Sequence, residues 1–377
     1  MPPTTTLWPL DHHTEAKHRV YKRYLQAWYP ILLSQRRGIT YAEGFAGPGE
    51  YTCHTPGSPI LALRTLLRAK PQPTPEGPAY LLFVEGDRDR CQHLRDRLAA
   101  ELGTLDPTAL RTRGLFVDVR QGRCNDTIPT MFAEHRVVTR PLLAVFDTWG
   151  SAVSFDLLRR VAKTPGAETI VTIQPGHFAR FAKDPEHYGD NVFGSALWRD
   201  VQTQPARAKA DYIRQQYRRT LNDAGFRYVL DFELADEGGH LLYLVYGTNH
   251  DRGIEKMKDA IWAVDPVRGI GYRDPRDPNQ QMLDIEFGPQ TGPLRRLILD
   301  HLANRSGHRA TVDQLRTFTL QKTIFRRGHA RTVISELLSS GQVHRAAPGR
   351  LTGSSVIALT AASPQARSVR RPEQETG

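Results

Sequence analysis

Cysteine is scarce in this chain. Its 377 residues include three, Cys53, Cys91 and Cys124, far apart and odd in number, which argues against a disulfide framework and a structural zinc site. No stretch approaches the roughly 18 consecutive apolar residues of a membrane helix. The opening "MPPTTTLWPLDHH" lacks the charged-then-apolar layout of a secretion signal, so a cytoplasmic setting is expected. No internal repeat is visible. What the chain has is length for one large and one small domain, and a formal charge of +11 with a pI near 9.7. That balance favours a polyanionic partner such as nucleic acid, although solvated cationic faces give the same total. The excess is uneven: residues 292–377 carry 14 Lys and Arg against 5 Asp and Glu.

Residues 14–33 place Val20, Tyr21, Tyr24, Leu25 and Trp28 at helical spacing, which predicts an opening helix that Pro30 ends or kinks. A strand over Ile39 to Glu43 follows, then a Gly-rich turn, then a helix near Ser58 and Pro59 with the serine as N-cap. The alternation recurs. "AYLLFVEGD", "LFVDVRQG", "PLLAVFDTWG" and "ETIVTIQPG" read as buried strands, and "DRCQHLRDRLAAEL", "TIPTMFAEH" and "SFDLLRRVAK" as helices. Short apolar runs alternating with helices predict an α/β fold with a doubly wound, mainly parallel sheet. After a helical insertion near 178–224, two β-rich runs around a Glu-Gly-Gly turn predict an antiparallel hairpin. Five parallel strands closed by a hairpin are the layout of a class I methyltransferase-like sheet. The expected division is an N-terminal helical segment over 1–36, a Rossmann-like domain over 37–290, a winged-helix-like domain of three helices and a hairpin over 291–362, and a disordered tail over 363–377.

"EGFAGPG" carries the first chemical signal. A dinucleotide fingerprint reads G-x-G-x-x-G, whereas Gly44, Gly47 and Gly49 read G-x-x-G-x-G. Counted from Glu43 the pattern is E-x-F-x-G-x-G, with Phe45 in the slot that many methyltransferases give to their first glycine. S-adenosylmethionine has no phosphates, and its amino-acid end needs close backbone approach and a carboxylate near its ammonium. Glu43, Gly44, Phe45, Ala46, Gly47 and Gly49 are the candidate loop, which could also be an ordinary Gly-rich turn. Glu85, ending the second strand, is placed to accept hydrogen bonds from both ribose hydroxyls or to be a solvated cap. Asn125 and Asp126, after the third strand, are candidates for the adenine amine. In "VFDTWG", Asp147, Thr148 and Trp149 follow the fourth strand. There an acid can accept hydrogen bonds from a target amine while an aromatic ring stacks on an extruded base, or the two can be an ordinary strand-end Asp and a core Trp. A cytosine-C5 mechanism needs a Pro-Cys nucleophile, and none of the three cysteines follows a proline. The glycine spacing and closing hairpin disfavour a nicotinamide oxidoreductase.

Together "AKHRVYKRYLQAWYPIL", "YAEGFAGPGEY", "PGSPILALR", "LLFVEGD", "LLAVFDTWG", "DAGFRYVLDFEL" and "YLVYGTNHDRGIEKMKDAIWAVDP" resemble the three-Cys-motif partner (TcmP) family over nearly the whole chain. The resemblance implies a methyltransferase-like fold of poorly defined activity, often encoded beside a three-cysteine partner protein similar to radical S-adenosylmethionine enzymes. By motif, Gly44, Gly47 and Gly49 look like the cofactor loop, Glu85 the ribose ligand and Asp147 to Gly150 the motif after the fourth strand. That last motif departs from the family: Thr148 and Trp149 stand where the usual form resembles Asp-Pro-Phe-Gly, which loosens the turn. Arg326, Arg327, His329 and Arg331 near the start of the recognition helix, with Arg345 and Arg350 on the wing, are candidate contacts to DNA or RNA, though winged helices also dock proteins. The expected function is S-adenosylmethionine-dependent methylation of nucleic acid at a base amine. The alternative is a non-catalytic or conditionally active partner subunit.

Overall fold

Strands buried on both faces form the centre of the larger of two units. In the computed structural model, described for residues 5–10, 12–148, 153–184, 186, 188–235, 241–264 and 289–360, the chain divides into two compact units, Met1–Pro289 and Gln290–Gly377. The first contains β1 (Ile39–Gly44), β2 (Ala79–Glu85), β3 (Leu115–Gln121), β4 (Leu142–Phe146), β5 (Ala167–Ile173), β6 (Tyr228–Ala235) and β7 (Leu241–Thr248). Their order in the sheet is β3-β2-β1-β4-β5-β7-β6. β1 to β5 run parallel, and β7 lies antiparallel between β5 and β6. Every residue of β1, β4 and β5 is buried, whereas edge strand β3 is largely half-exposed, as expected when both faces of a parallel sheet are covered. The Glu-Gly-Gly turn lies outside the described residues.

The helices of this unit are α1 (His12–Leu33), α2 (Ser58–Leu67), α3 (Arg88–Leu102), α4 (Pro107–Thr112), α5 (Cys124–Glu134), α6 (Phe155–Ala162), α7 (Pro175–Phe181), α8 (Gly189–Phe193), α9 (Lys209–Ala224) and α10 (Asp251–Val264). α5, α6 and α9 send Ile128, Met131, Leu157, Leu158, Tyr217 and Leu221 into the main core against Ala144, Phe146 and Val171 of the sheet. α1 packs against α2 and α10, and α2 also packs against α3. The Asp87 side chain caps α3 by accepting from Arg90 N at 2.9 Å, and Ser154 caps α6 in the same way, each worth about 1 kcal/mol.

Two local details differ from expectation: α1 does not end at Pro30, and Ser58 is not an N-cap. α1 runs through Pro30 to Leu33, because the buried side chains of Tyr29 and Leu33 offset the one hydrogen bond that a proline removes. Ser58 does not cap α2; Gly57 holds that position, and the Ser58 hydroxyl is turned to Glu43 instead.

The second unit holds α11 (Gly292–Ala303), α12 (Val312–Lys322) and α13 (Arg327–Ser339), with a sheet in the order β8 (Arg309–Thr311), β10 (Val356–Leu359), β9 (Val343–Arg345). Thr311 and Gln314 form a reciprocal capping box at the start of α12. Leu297, Ile298, Leu315, Val333, Ile334 and Ile357 are buried here. Three helices with a small antiparallel sheet make a winged helix, so the molecule pairs a methyltransferase-like sheet with a winged-helix domain. The expected tail lies outside the described residues. Among the described residues, no helix is long and apolar enough to cross a membrane, and no group of three or more His, Cys, Asp or Glu is placed to hold a metal ion.

Candidate functional site at the sheet switch point

Strand order reverses between β1 and β4, the point at which the loops leaving the carboxyl ends of a doubly wound sheet part to make a ligand crevice. The β1 loop closes on itself: Gly57 N donates to Gly49 O at 2.7 Å, and Glu50 pairs with Arg97 at 3.2 Å and His93 at 3.4 Å on α3. The loop glycines have different reasons. A side chain on Gly44 would put Cβ 2.3 Å from Cys124 Sγ, and one on Gly49 would stand 2.9 Å from Leu94, so protein packing accounts for both. Gly47, at φ 66°, would meet only Trp8, at 3.5 Å; it is the glycine that faces the crevice. Phe45 also adopts a left-handed backbone, φ 65°, a conformation that disfavours any residue but glycine by about 1–2 kcal/mol. Its position has the geometry of a glycine even though the sequence does not supply one.

Gly47 N donates to Glu85 Oε2 at 2.7 Å, and Asp87 N to Glu85 Oε1 at 3.0 Å. The bare loop and the strand-ending acid thus converge, and each carboxylate oxygen keeps a lone pair for another donor. Ala46 N bonds to Val84 O at 2.9 Å, fixing the loop against β2.

Glu43 lies elsewhere than expected. It has no exposed surface, and its oxygens accept from Tyr41 at 2.9 Å and from Ser58. Burial, opposed by these two hydrogen bonds and reinforced by Asp147, pushes its carboxyl up to about 8. In this arrangement it ties β1 to α2 from beneath the loop and does not reach an ammonium in the crevice.

Asp147 leaves the end of β4 and meets α1. Its Oδ2 pairs with Lys17 Nζ at 2.5 Å, and its Oδ1 accepts from Thr172 at 2.8 Å. Burial pushes this carboxyl up, but Lys17, Thr172 and His18 together outweigh burial and hold it below the ordinary value. Tyr21 lies beside the pair. Its phenol is raised well above the usual value by burial and then by Asp147 and Glu43, so it stays protonated. Thr148 is buried, and Trp149 falls outside the described residues. Asn125 sits in the first turn of α5 and accepts from Ser154 N at 3.0 Å, which ties that turn to the start of α6. Asp126, in the same turn, is exposed.

Sequence reasoning missed what covers the site. The segment before α1 crosses the glycine loop: Trp8 O accepts from Thr52 N at 3.1 Å, the Trp8 ring meets Tyr51 edge-on at 5.9 Å, and Arg90 lies 5.0 Å above that ring and donates to Thr5 O at 3.0 Å. Lys17, His18 and Tyr21 complete the cover. Their signal was present in α1, where two basic residues sit next to the apolar stripe, but it does not say which strand they meet.

In the second unit, Arg326 holds the N-cap position of α13 without a side-chain capping bond, and Arg327 opens the helix. Arg331 is exposed and reaches Leu351 O at 3.4 Å, which links α13 to the wing. Arg345 bonds to Gly349 O on the wing, and Arg350 is exposed beside it.

A family model described as the GMT-like wHTH domain matches residues 271–347. None of the curated proteins matches the chain significantly. Among solved structures, the chain is similar to a possible exported protein from Bordetella parapertussis (16% identity, 62% of this chain and 66% of that one, TM-score 0.31). It is also similar to the O-methyltransferase TomG from Streptomyces achromogenes, solved with S-adenosylmethionine (13% identity, 65% and 92%, TM-score 0.32). A third is the B. subtilis M1A22 tRNA methyltransferase TrmK (9% identity, 85% and 93%, TM-score 0.30).

Proposed function

We propose that the chain is an S-adenosylmethionine-dependent methyltransferase acting on nucleic acid at a base amine, and a member of the three-Cys-motif partner family. The observation that carries this reading is the convergence of Gly47 N and Glu85 Oε2 at 2.7 Å at the switch point of a sheet ordered β3-β2-β1-β4-β5-β7-β6. A dinucleotide fits poorly. Its pyrophosphate needs a helix N-terminus directly after the loop, whereas α2 begins only at Ser58, where the Glu43 carboxyl is already engaged. S-adenosylmethionine, when bound, supplies a methyl group on an electrophilic sulfonium. Glu85 has lone pairs for ribose hydroxyls, Gly47 offers backbone without a side chain, and Asp126 offers an acceptor to the adenine amine. Lys17 provides a buried cation for the cofactor carboxylate. Asp147, held anionic by Lys17, accepts from the target amine and aligns its lone pair. The arginines of α13 and the wing hold the phosphate backbone.

Titration calorimetry with S-adenosylmethionine and S-adenosylhomocysteine, on the native chain and on Gly47→Asp, tests the cofactor. Binding to the native chain that is lost in the variant is expected; no binding to either ligand refutes the reading. Labelled methyl transfer to single-stranded DNA, duplex DNA and unmodified tRNA tests the reaction, and Asp147→Ala is expected to abolish transfer while sparing cofactor binding. Unchanged turnover would sink the role of Asp147.

The engagement of both Asp147 oxygens, together with Thr148 at the family's proline, favours one second reading: a partner subunit active only with a three-cysteine protein. Transfer that appears only when such a protein is added would establish it.

A further inference from the structure

The first unit has a second cavity at the opposite end of the same sheet from the crevice. It encloses about 580 Å³, within the roughly 300–1,000 Å³ typical of small-molecule sites. It sits where β4 and β5 begin and β7 ends, between the second half of α1 and the first turns of α10. Its floor is built rather than incidental. Glu168, 6% exposed, accepts from Tyr24 at 2.5 Å and from Thr248 at 3.2 Å, and Tyr24 and Tyr246 hydroxyls meet at 2.8 Å. A side chain on Gly253 would place Cβ 2.2 Å from Glu168 Oε1, so its absence lets α10 seat on this cluster and bring Arg252 and Lys256 to the rim.

Charge and polarity point to one kind of occupant. Arg37, Arg140, Arg252 and Lys256 line the cavity with a single carboxylate, Glu168, whose oxygens are already committed to the floor. Arg140 is held by His135 O at 2.8 Å and stands 3.8 Å from the Tyr80 ring, and Lys256 pairs with Asp259 at 2.8 Å. Among the described residues Arg252 has a 3.8 Å pairing with Glu255 and is 67% exposed, and Arg37 is exposed; both can turn to an anion. The remaining wall is apolar, with Trp28, Ile31, Leu32, Pro141 and Pro165, and Val138 at the mouth is 62% exposed.

We propose that this cavity binds a nucleoside monophosphate, its ring system against the Trp28–Ile31–Leu32 wall and its phosphate between Arg37 and Arg252. The site is separate from the crevice and does not rest on the reading of it. Equilibrium dialysis of the full chain with AMP and GMP, each compared with its nucleoside and with inorganic phosphate, provides the test. Expected is binding of at least one nucleotide that neither half reproduces. Arg37→Glu/Arg252→Glu should weaken it about tenfold or more by replacing charge-assisted bonds with repulsion, and Gly47→Asp should leave it unchanged. Both substituted arginines are exposed, and retained titration with S-adenosylmethionine, or an unchanged thermal transition, shows that the variant is folded. No nucleotide binding at about 1 mM, where even the weakest useful affinities register, overturns the proposal. So does binding indifferent to the arginine pair, or binding lost in Gly47→Asp, which would put the nucleotide in the crevice.

Discussion

Lys17→Met isolates the ion pair on which the crevice depends. The 2.5 Å contact with Asp147 is worth about 6–7 kcal/mol of attraction at an effective dielectric near 20, before desolvation. Desolvation of both ions cancels most of this in the intact pair, but removing one ion leaves the other's burial uncompensated, typically at about 3–5 kcal/mol. Asp147 keeps the bond from Thr172 and its side chain is 17% exposed, so a loss of about 2–4 kcal/mol at pH 7 is expected. The sign of the pH dependence is a stricter check. In the native chain the Asp147 carboxyl lies below its ordinary 3.8, so its contribution is present above that value and lost as pH falls through the depressed one. In Lys17→Met, burial acts unopposed by the lysine and lifts the carboxyl. The variant therefore recovers stability as pH falls from neutral toward about 4, and the gap between the two proteins narrows. All five tryptophans, at positions 8, 28, 149, 198 and 262, fall in the first unit, so urea denaturation followed by tryptophan fluorescence reads that unit alone. A gap that stays constant with pH, or a Lys17→Met/Asp147→Asn double variant no more stable than Lys17→Met, would refute the argument.

Glu43→Gln keeps a side chain of the same shape between Tyr41 and Ser58 and removes the buried acid. Because the folded carboxyl is raised from 4.5 to about 8, the native chain should lose stability as pH climbs between those values; the glutamine variant should show a flatter profile there and match or exceed the native chain at pH 8, read by the same denaturation. Gly44→Ala drives Cβ into Cys124 Sγ and should cost about 1–3 kcal/mol. Cys124→Ala in the same chain should restore part of that loss, and additive losses would disprove the contact.

The sheet was legible because its evidence is local. Runs such as "LLAVF" and "AETIVTI" are long enough for a strand and too short for an isolated helix, and turn residues or amphipathic helices bound them. Glu85 and Asp147 could be singled out as candidates because topology puts the ends of parallel strands at one edge. Local rules misjudged Ser58, whose hydroxyl could cap α2 or bond to Glu43 fifteen residues earlier; the buried acid needed a donor, and Gly57 left the cap position open to it. Nor could they show that Gly44 and Gly49 also have packing reasons to lack a Cβ, because the side chains that exclude one there come from α5 and α3.

By itself the sequence determined the alternation of strands and helices, the closing hairpin, the cationic winged helix and the glycine-and-acid signature of the crevice, since each is written in spacing of a few residues. Tertiary structure alone decided that Lys17 neutralises Asp147 across 130 positions of chain, that Glu43 is sealed beneath its loop, that Trp8 covers Gly47, and that a second cavity opens below β4 and β5. Those are consequences of which helix packs on which strand, and pair energies between distant residues leave no periodicity in the sequence from which to read them.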